Sequence, residues 1–269
     1  MRNVENKNIT LPQEIMDLIA DEDYSLDDIG KSGSTVMMFA NKVLKVQRET
    51  DETKSERIML KWLEGKLPVP KVLCEVSDGD MSYLLMSRIS GKMICDEEYM
   101  ENPRVLVSVL AQSLKRLWEV DITDCPMVWD LDRKLVQAKE AVENGEVDVE
   151  DAEPETFGEN GFKDPQELWE WLDENRPTED LVLSHGDFCL PNVFAQDGKL
   201  SGYIDLGRMG VADKWQDIAL CYRSLKHNFC GKYAAKVYED FNPDILFEAL
   251  GIKPDWEKLH YYILLDELF

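Results

Sequence analysis

The residues best suited to carry chemistry lie in the stretch SHGDFCLPNVF, residues 184–194. Asp187 is followed five residues later by Asn192, which comes just before a predicted short strand. A second predicted strand returns over residues 201–204 and ends at Asp205. An aspartate and an asparagine at this spacing are typical of the loop from which phosphoryl-transfer enzymes orient a hydroxyl group and hold magnesium.

The turn between these two strands predicts where the side chains meet. Asp197 and Gly198 are turn residues, so Asn192 and Asp205 should lie at the same mouth of a short hairpin. Magnesium prefers hard oxygen ligands and is often held by one or two carboxylates together with phosphate oxygens. Asp187, on the preceding loop, can orient a hydroxyl group or accept its proton. Each residue alone is more often an ordinary turn or cap residue, but their order and spacing together indicate phosphoryl transfer.

Two charged residues earlier in the chain fit the same chemistry. Lys45 lies near the end of a predicted hairpin strand, and Glu56 lies on the helix predicted next. A strand lysine paired with a helix glutamate holds the α- and β-phosphates in kinase folds. The glycine-bearing loop over residues 30–34 could cover phosphates with its backbone N–H groups. That loop is a weak signal, because it matches neither GxGxxG nor a Walker sequence.

The elements that must position these residues begin with a β-rich segment. A leading helix is predicted first, and a β-β-α-β-β pattern follows it before residue 90. The helices are predicted over residues 11–20 and 52–64, and the strands over residues 35–40, 43–46, 70–76 and 81–89.

Beyond residue 90 the pattern becomes mainly helical. Leu106, Leu110, Leu114 and Leu117 recur at helical spacing, and residues 164–167, DPQE, are typical of a helix start. We therefore predict an α+β, two-lobed fold. A small mixed β lobe over residues 1–90 would bind a nucleotide, and a larger, mainly helical lobe over residues 91–269 would carry catalysis and substrate binding.

The charge balance favours some partners and excludes others. The chain has 54 acidic and 30 basic residues, a formal net charge of −24. Nucleic acid is excluded as a partner, because phosphate contacts require clustered lysine and arginine. The charge fits a cationic ligand, and it fits equally well a role in solubility alone. No apolar run is long enough to span a membrane and the first ten residues are polar, so we expect a cytoplasmic protein.

Five stretches of the chain resemble aminoglycoside 3′-phosphotransferases. The pattern HGD…N…D is shared by many small-molecule kinases, whereas the carboxyl-terminal ending LLDELF is far more specific. The resemblance spans nearly the whole chain. The stretches that carry it are residues 62–72, 184–192, 204–208, 212–215 and 261–269.

This resemblance implies a protein-kinase-like fold and a role in antibiotic resistance. Mg-ATP would be the donor, and the γ-phosphoryl group would pass to the 3′-hydroxyl of an aminoglycoside. The residues that match the family's motifs divide by role. They are Asp187 as the catalytic aspartate; Asn192 and Asp205 as magnesium ligands; Lys45, Glu56 and Ser32 as nucleotide contacts; and Arg208, Asp266, Glu267 and the Phe269 carboxylate as aminoglycoside contacts.

Two departures from the family pattern leave details open. Val43 stands where family members can place an aromatic ring against the adenine, so aliphatic packing would replace stacking and GTP is an alternative donor. The segment over residues 143–160 has eight acidic residues and no basic ones. It aligns poorly with the family and is most simply a solvated loop, with Glu153, Glu155 and Glu159 as candidate contacts for amines.

Other functions compete with this one. A metabolic kinase for choline, homoserine, a sugar or another small alcohol would share the loop chemistry, although choline sites favour aromatic cages over carboxylates. A non-catalytic kinase-like protein is disfavoured because Lys45, Asp187, Asn192 and Asp205 are all present. A protein kinase is disfavoured because the segment after Asp205 leaves no room for an activation loop. We expect a monomer or a weak dimer.

Overall fold

A computed structural model describes residues 10–20, 22–27, 34–159, 161–233 and 236–269. Helices and strands alternate in the first part of the chain, and helices predominate in the second. The helices are α1 (Gln13–Ile19), α2 (Asp51–Leu63), α3 (Glu97–Met100), α4 (Pro103–Trp118), α5 (Leu131–Asn144), α6 (Pro165–Glu174), α7 (Lys214–Phe229), α8 (Ile245–Leu250) and α9 (Trp256–Asp266). The strands are β1 (Ser25–Asp27), β2 (Thr35–Met38), β3 (Lys42–Arg48), β4 (Val72–Asp78), β5 (Met81–Ser87), β6 (Lys92–Met93), β7 (Leu181–Ser184), β8 (Val193–Gln196), β9 (Lys199–Tyr203) and β10 (Gly210–Asp213).

The first of two compact units contains Met1–Ser90 and Gly202–Gly207. It is built on an antiparallel sheet with the strand order β1-β2-β3-β5-β4. Alternate residues of β3, Leu44 and Val46, are buried with Ile15 and Ile19 of α1 in one apolar cluster. Because successive side chains of a strand point to opposite faces, Lys45 points away from that cluster.

Helix α2 begins at a capping box. The Thr53 backbone N–H donates to Thr50 Oγ1 at 3.2 Å, and the Thr50 backbone N–H donates to Thr53 Oγ1 at 2.9 Å. These bonds satisfy backbone donors that the first helical turn would otherwise leave unpaired. Glu56 lies on the buried face of this helix together with Met59.

The second unit contains Gly91–Ser201 and Arg208–Phe269. Its long helix α4 buries the leucines of the predicted helical stripe. β7 pairs antiparallel with β10, and the residues after β7 form the loop that contains Asp187. A single 3-10 turn at Leu190–Asn192 then leads into β8. β8 lies between β6 and β9 in a three-stranded sheet.

These elements confirm the predicted α+β class, with a strand-rich first unit and a mainly helical second unit. The predicted elements are present, with shifts at their ends. β4, for example, begins at Val72 rather than at Pro70, where a ring without an N–H cannot donate to a ladder. The short strand β1 was not predicted. Among the described residues, no helix combines the length and the apolar character that a membrane span needs.

Candidate active site

In the first unit, Lys45 forms ion pairs with two of the acidic residues predicted for the site. Its Nζ lies 3.1 Å from Glu56 Oε2 and 3.0 Å from Asp205 Oδ1. The Glu56 side chain is almost completely buried, whereas the Asp205 side chain is exposed. A lysine held in this way presents a fixed positive charge, which suits a phosphate oxygen.

The two carboxylates keep Lys45 charged. Burial on its own lowers the pKa of the Lys45 amine, but the charges and hydrogen bonds of Glu56 and Asp205 outweigh it and raise that pKa above its ordinary value. The amine therefore stays protonated throughout the physiological pH range. A neutral lysine acting as a base is excluded at this position.

The backbone of Asp205 is strained. Its φ of 61° lies in the left-handed region, which aspartate adopts more readily than most residues but which still carries an energetic cost. Strained residues of this kind cluster at sites where a ligand is held. Asp205 therefore has a backbone feature of a functional residue in addition to its contact with Lys45.

Asp187 and Asn192 meet in the second unit. Asn192 Nδ2 donates to the Asp187 carbonyl at 3.0 Å and to Asp187 Oδ2 at 2.9 Å. Because the amide nitrogen is committed to Asp187, the Asn192 Oδ1 is directed elsewhere. Among the described residues, nothing donates a hydrogen bond to that oxygen. This geometry leaves one hard oxygen ready for a cation.

The loop before Asp187 is held by Asp217, a residue that sequence reasoning missed. Asp217 Oδ1 accepts from Ser184 Oγ at 2.9 Å and from the Gly186 N–H at 3.0 Å, and Oδ2 accepts from the His185 N–H at 2.7 Å. Burial raises the pKa of the Asp217 carboxyl, and the charge of His185 and these hydrogen bonds oppose that shift. A carboxylate between apolar residues of α7 was the available signal, since a buried charge must be compensated.

Gly186 allows this loop to pass close to another backbone segment. Its φ is +82°, and a Cβ at this position would lie 2.0 Å from the Arg208 carbonyl oxygen. Only glycine fits both restrictions. The glycine of the HGD sequence is therefore required by the shape of the loop itself.

The four predicted substrate contacts lie near one another in the second unit. Arg208, Asp266, Glu267 and Phe269 together form what we call the carboxyl-terminal group. Arg223, which sequence reasoning also missed, binds Asp266. Its Nη1 lies 3.1 Å from Glu267 Oε1. Arg208 Nη1 lies 3.9 Å from Asp266 Oδ1. The Phe269 ring lies 5.7 Å from the Lys134 Nζ. The acidic residues at this terminus are thus already held by cations of the chain.

Lys134 carries a buried amine beside this group. Lys134 is 9% exposed, and among the described residues its side chain forms no ion pair or hydrogen bond. Burial lowers the pKa of the Lys134 amine to about 8, although the charges of Asp266 and Asp217 partly oppose that shift.

Replacing Lys134 with methionine should stabilise the protein at pH 7. The variant should unfold with a free energy up to about 3 kcal/mol higher, because a pKa shift of one unit corresponds to about 1.4 kcal/mol. The unfolded chain keeps this proton to a higher pH than the folded chain. Wild-type stability should therefore rise above pH 8, and the advantage of the variant should fade.

Urea unfolding at pH 7 and pH 10 measures this difference. Lys139→Met is the matched control, because Lys139 lies on the same helix and is exposed. An equal change in both variants, or an advantage that does not depend on pH, would contradict the assigned cost of burying Lys134.

Part of the acidic segment over residues 143–160 contacts the rest of the second unit. Its first residues end helix α5, and most of the others are exposed, with Asn160 outside the described residues. Glu153 is the exception among its three candidate amine contacts. The Glu153 backbone N–H donates to Glu267 Oε2 at 3.0 Å, so this segment touches the carboxyl-terminal group.

The predicted site residues fit a magnesium–nucleotide complex in their chemistry. Among the described residues, no cluster of three or more His, Cys, Asp or Glu side chains could hold a metal unaided. A few protein oxygens that leave the remaining positions to water and phosphate suit magnesium, and Asn192 Oδ1 and the Asp205 carboxylate are such oxygens. Ser32, the predicted phosphate-loop serine, lies outside the described residues.

Comparisons with known proteins agree with this chemistry. Residues 26–262 match the model of the phosphotransferase enzyme family. An aminoglycoside 3′-phosphotransferase of Enterococcus faecalis is 44% identical over 82% of this chain and 80% of its own length. One from Niallia circulans is 38% identical over 96% of this chain and 97% of its own.

A solved structure supports the fold. The aminoglycoside phosphotransferase of Streptomyces rimosus, in complex with ADP and streptomycin, superposes with a TM-score of 0.75. The match covers 95% of this chain and 97% of that one, at 23% identity. The two chains therefore share the fold of that kinase-like enzyme, and the identities to the bacterial relatives show that this chain belongs to the aminoglycoside 3′-phosphotransferase family.

Proposed function

We propose that this protein transfers the γ-phosphoryl group of ATP to the 3′-hydroxyl of aminoglycoside antibiotics and thereby confers resistance to them. The observation that carries this proposal is the near full-length similarity to relatives named for that activity. The chain also has the residues that the chemistry requires, which are Lys45, Asp187, Asn192 and Asp205. GTP is the second donor to test.

Asp187 orients the attacking hydroxyl and takes its proton. As the substrate oxygen bonds to the γ-phosphorus, the bond to the β-phosphate oxygen breaks and ADP leaves. The proton of the hydroxyl passes to Asp187 Oδ. Asn192 fixes the carboxylate through its hydrogen bond to Oδ2, so little reorganisation is needed when the substrate arrives.

Asn192 and Asp205 would hold magnesium, and Lys45 would contact the nucleotide phosphates. Magnesium held there would supply positive charge to the phosphate oxygens. Glu56 keeps the Lys45 ammonium in place, because its buried carboxylate accepts from Lys45 Nζ at 3.3 Å and 3.1 Å. The lysine in turn holds the Asp205 carboxylate.

Lys45→Met should weaken ATP binding at least tenfold and lower stability. The variant leaves the Glu56 carboxylate buried without its cation, which costs roughly 3–5 kcal/mol when such a pair is broken. A second change, Glu56→Gln, should recover much of the lost stability without restoring ATP binding. Thermal unfolding and titration with ATP separate the two effects.

Lys42→Met is the matched control for this prediction. Lys42 lies on the same strand but pairs with Glu22 at 2.6 Å, so its loss should leave ATP binding unchanged. Normal ATP affinity in Lys45→Met would contradict the assigned phosphate contact.

The carboxyl-terminal group would bind the aminoglycoside. Asp266, Glu267 and the Phe269 carboxylate supply negative charge for protonated amines, and Arg208 and Arg223 keep these acidic side chains in position. Several such ion pairs in a partly desolvated site exceed the roughly 1 kcal/mol that one pair gives in water. The net charge of −24 would also attract a cationic substrate. We expect a cytoplasmic monomer or weak dimer that binds neither nucleic acid nor membranes.

Coupled ADP release with Mg-ATP tests this function across kanamycin, neomycin, choline and homoserine. Turnover should occur with kanamycin and neomycin and should be absent with the other two. Turnover with choline or homoserine alone would retain the phosphotransferase chemistry and move the function to metabolism.

A further inference from the structure

Glu153 lies at the centre of a small polar cluster in the second unit. Its Oε1 is 2.8 Å from His227 Nε2 and 3.0 Å from Lys232 Nζ. His227 Nδ1 lies 3.2 Å from the Tyr233 hydroxyl. Through its backbone, Glu153 also donates to Glu267, in the carboxyl-terminal group.

Lys232 supplies the positive charge that balances the Glu153 carboxylate. Burial lowers the pKa of the His227 ring, so the ring is neutral at neutral pH. The Tyr233 hydroxyl can then donate to Nδ1, while Nε2–H donates to Glu153. Burial raises the pKa of Glu153, but Lys232 and His227 outweigh it and bring the net pKa below its ordinary value. Glu153 is therefore a carboxylate whose counter-charge is the Lys232 ammonium.

This ion pair lies beside an open cavity. Glu153 lines a cavity of about 660 Å³ together with the acidic residues Glu155 and Glu167 and the basic residues Arg223 and Lys226. The Glu153 side chain is 20% exposed, and that of Lys232 is 39% exposed. Among the described residues, no group donates to Glu153 Oε2. A ligand in the cavity can therefore reach this carboxylate.

The Lys232 ammonium resembles the group that the carboxylate would bind on a substrate. Lys232 is long and partly exposed, and among the described residues a single ion pair holds it. Exposed ion pairs of this kind are weak. Lys232 can hold the carboxylate when no ligand is bound, yet a substrate ammonium can displace it. Displacement has a cost, which weakens binding of any amine placed here.

We propose that Lys232 is a specificity-determining residue whose ammonium competes with a substrate amine for Glu153. This inference rests on the proposed function, because it requires a cationic substrate at the carboxyl-terminal group. It gives a role to a lysine that pairs with the carboxylate of Glu153, the residue whose backbone N–H donates to Glu267.

Steady-state kinetics with kanamycin B and Mg-ATP test the proposal. Lys232→Met should lower KM for kanamycin B about three- to fivefold, as expected for removing one partly exposed competing charge. The kcat and the KM for ATP should stay unchanged. Lys232→Arg, which keeps the charge, should behave like the wild type.

Two further variants separate local competition from a change in overall charge. Lys236→Met removes the same charge from a lysine that pairs instead with Glu97 and Glu101, and it should leave KM unchanged. In a Glu153→Gln background, Lys232→Met should give no further decrease in KM. A KM that is unchanged or higher in Lys232→Met, or a decrease that persists in the Glu153→Gln background, would overturn the proposal.

The failure of this inference can be told apart from failure of the proposed function. If the wild type does not phosphorylate kanamycin B, the proposed function is wrong and the competition proposal falls with it. If the wild type turns over kanamycin B and Lys232→Met has the same KM, only the role of Lys232 is wrong.

Discussion

Asp187→Asn should lower kcat for aminoglycoside phosphorylation about a thousandfold, within the range that a positioned general base contributes. The amide oxygen of the new side chain can still accept the hydrogen bond that Asn192 Nδ2 gives to Asp187 Oδ2 at 2.9 Å. The shape of the loop and nucleotide binding should therefore persist. Only the ability to take the proton of the hydroxyl group is removed.

Coupled ADP release and titration with ATP measure both parts of this prediction. Asp173→Asn is a matched control, because Asp173 pairs with Arg176 on the protein surface and has no part in the site. Turnover in Asp187→Asn within tenfold of the wild type would contradict the role of Asp187. Loss of ATP binding would show that the residue acts on the nucleotide instead.

Asp217→Ala should destabilise the protein by roughly 2–6 kcal/mol, for two buried donors left unsatisfied, and should reduce turnover severely. The change leaves the Ser184 hydroxyl and the His185 N–H buried without their shared acceptor, whereas the Gly186 N–H keeps Ser184 Oγ at 3.2 Å. Each unsatisfied buried donor costs about 1–3 kcal/mol. The loop that contains Asp187 would then lose the contacts that fix its path.

Urea unfolding and kinetics on the same samples test this prediction. Asp180→Ala is the matched change, because Asp180 forms an exposed ion pair with Lys214 and should alter stability by less than about 1 kcal/mol. Stability of Asp217→Ala equal to that of the control would contradict the role assigned to these hydrogen bonds. Normal turnover in a destabilised variant would show that these hydrogen bonds stabilise the fold but are not needed to place Asp187 for catalysis.

Features that depend on local chemistry were predictable from the sequence. The Asp164 carboxylate was expected to begin a helix, and it accepts the Glu167 N–H one residue before α6. Lys45 and Glu56 were predicted to pair, and they do. In both cases neighbouring residues and a regular periodicity determine the outcome, because strand and helix spacing fix where each side chain points.

Features that depend on distant partners were not predictable. Asp217 contacts residues more than thirty positions earlier, and Arg223 contacts residues more than forty positions later. Strand β1, over Ser25–Asp27, has only three residues and is defined by its pairing with β2. No local pattern specifies such partners, since they arise only when the chain packs.

Comparing kanamycin B with tobramycin, its 3′-deoxy analogue, as substrates with Mg-ATP tests whether the 3′-hydroxyl is the group that is phosphorylated. We predict that ADP is released at a high rate with kanamycin B and that the rate falls to background with tobramycin, although tobramycin should still bind and inhibit competitively. Equal turnover of the two compounds would show that another hydroxyl is phosphorylated. Absence of turnover with either compound would contradict the proposed activity itself.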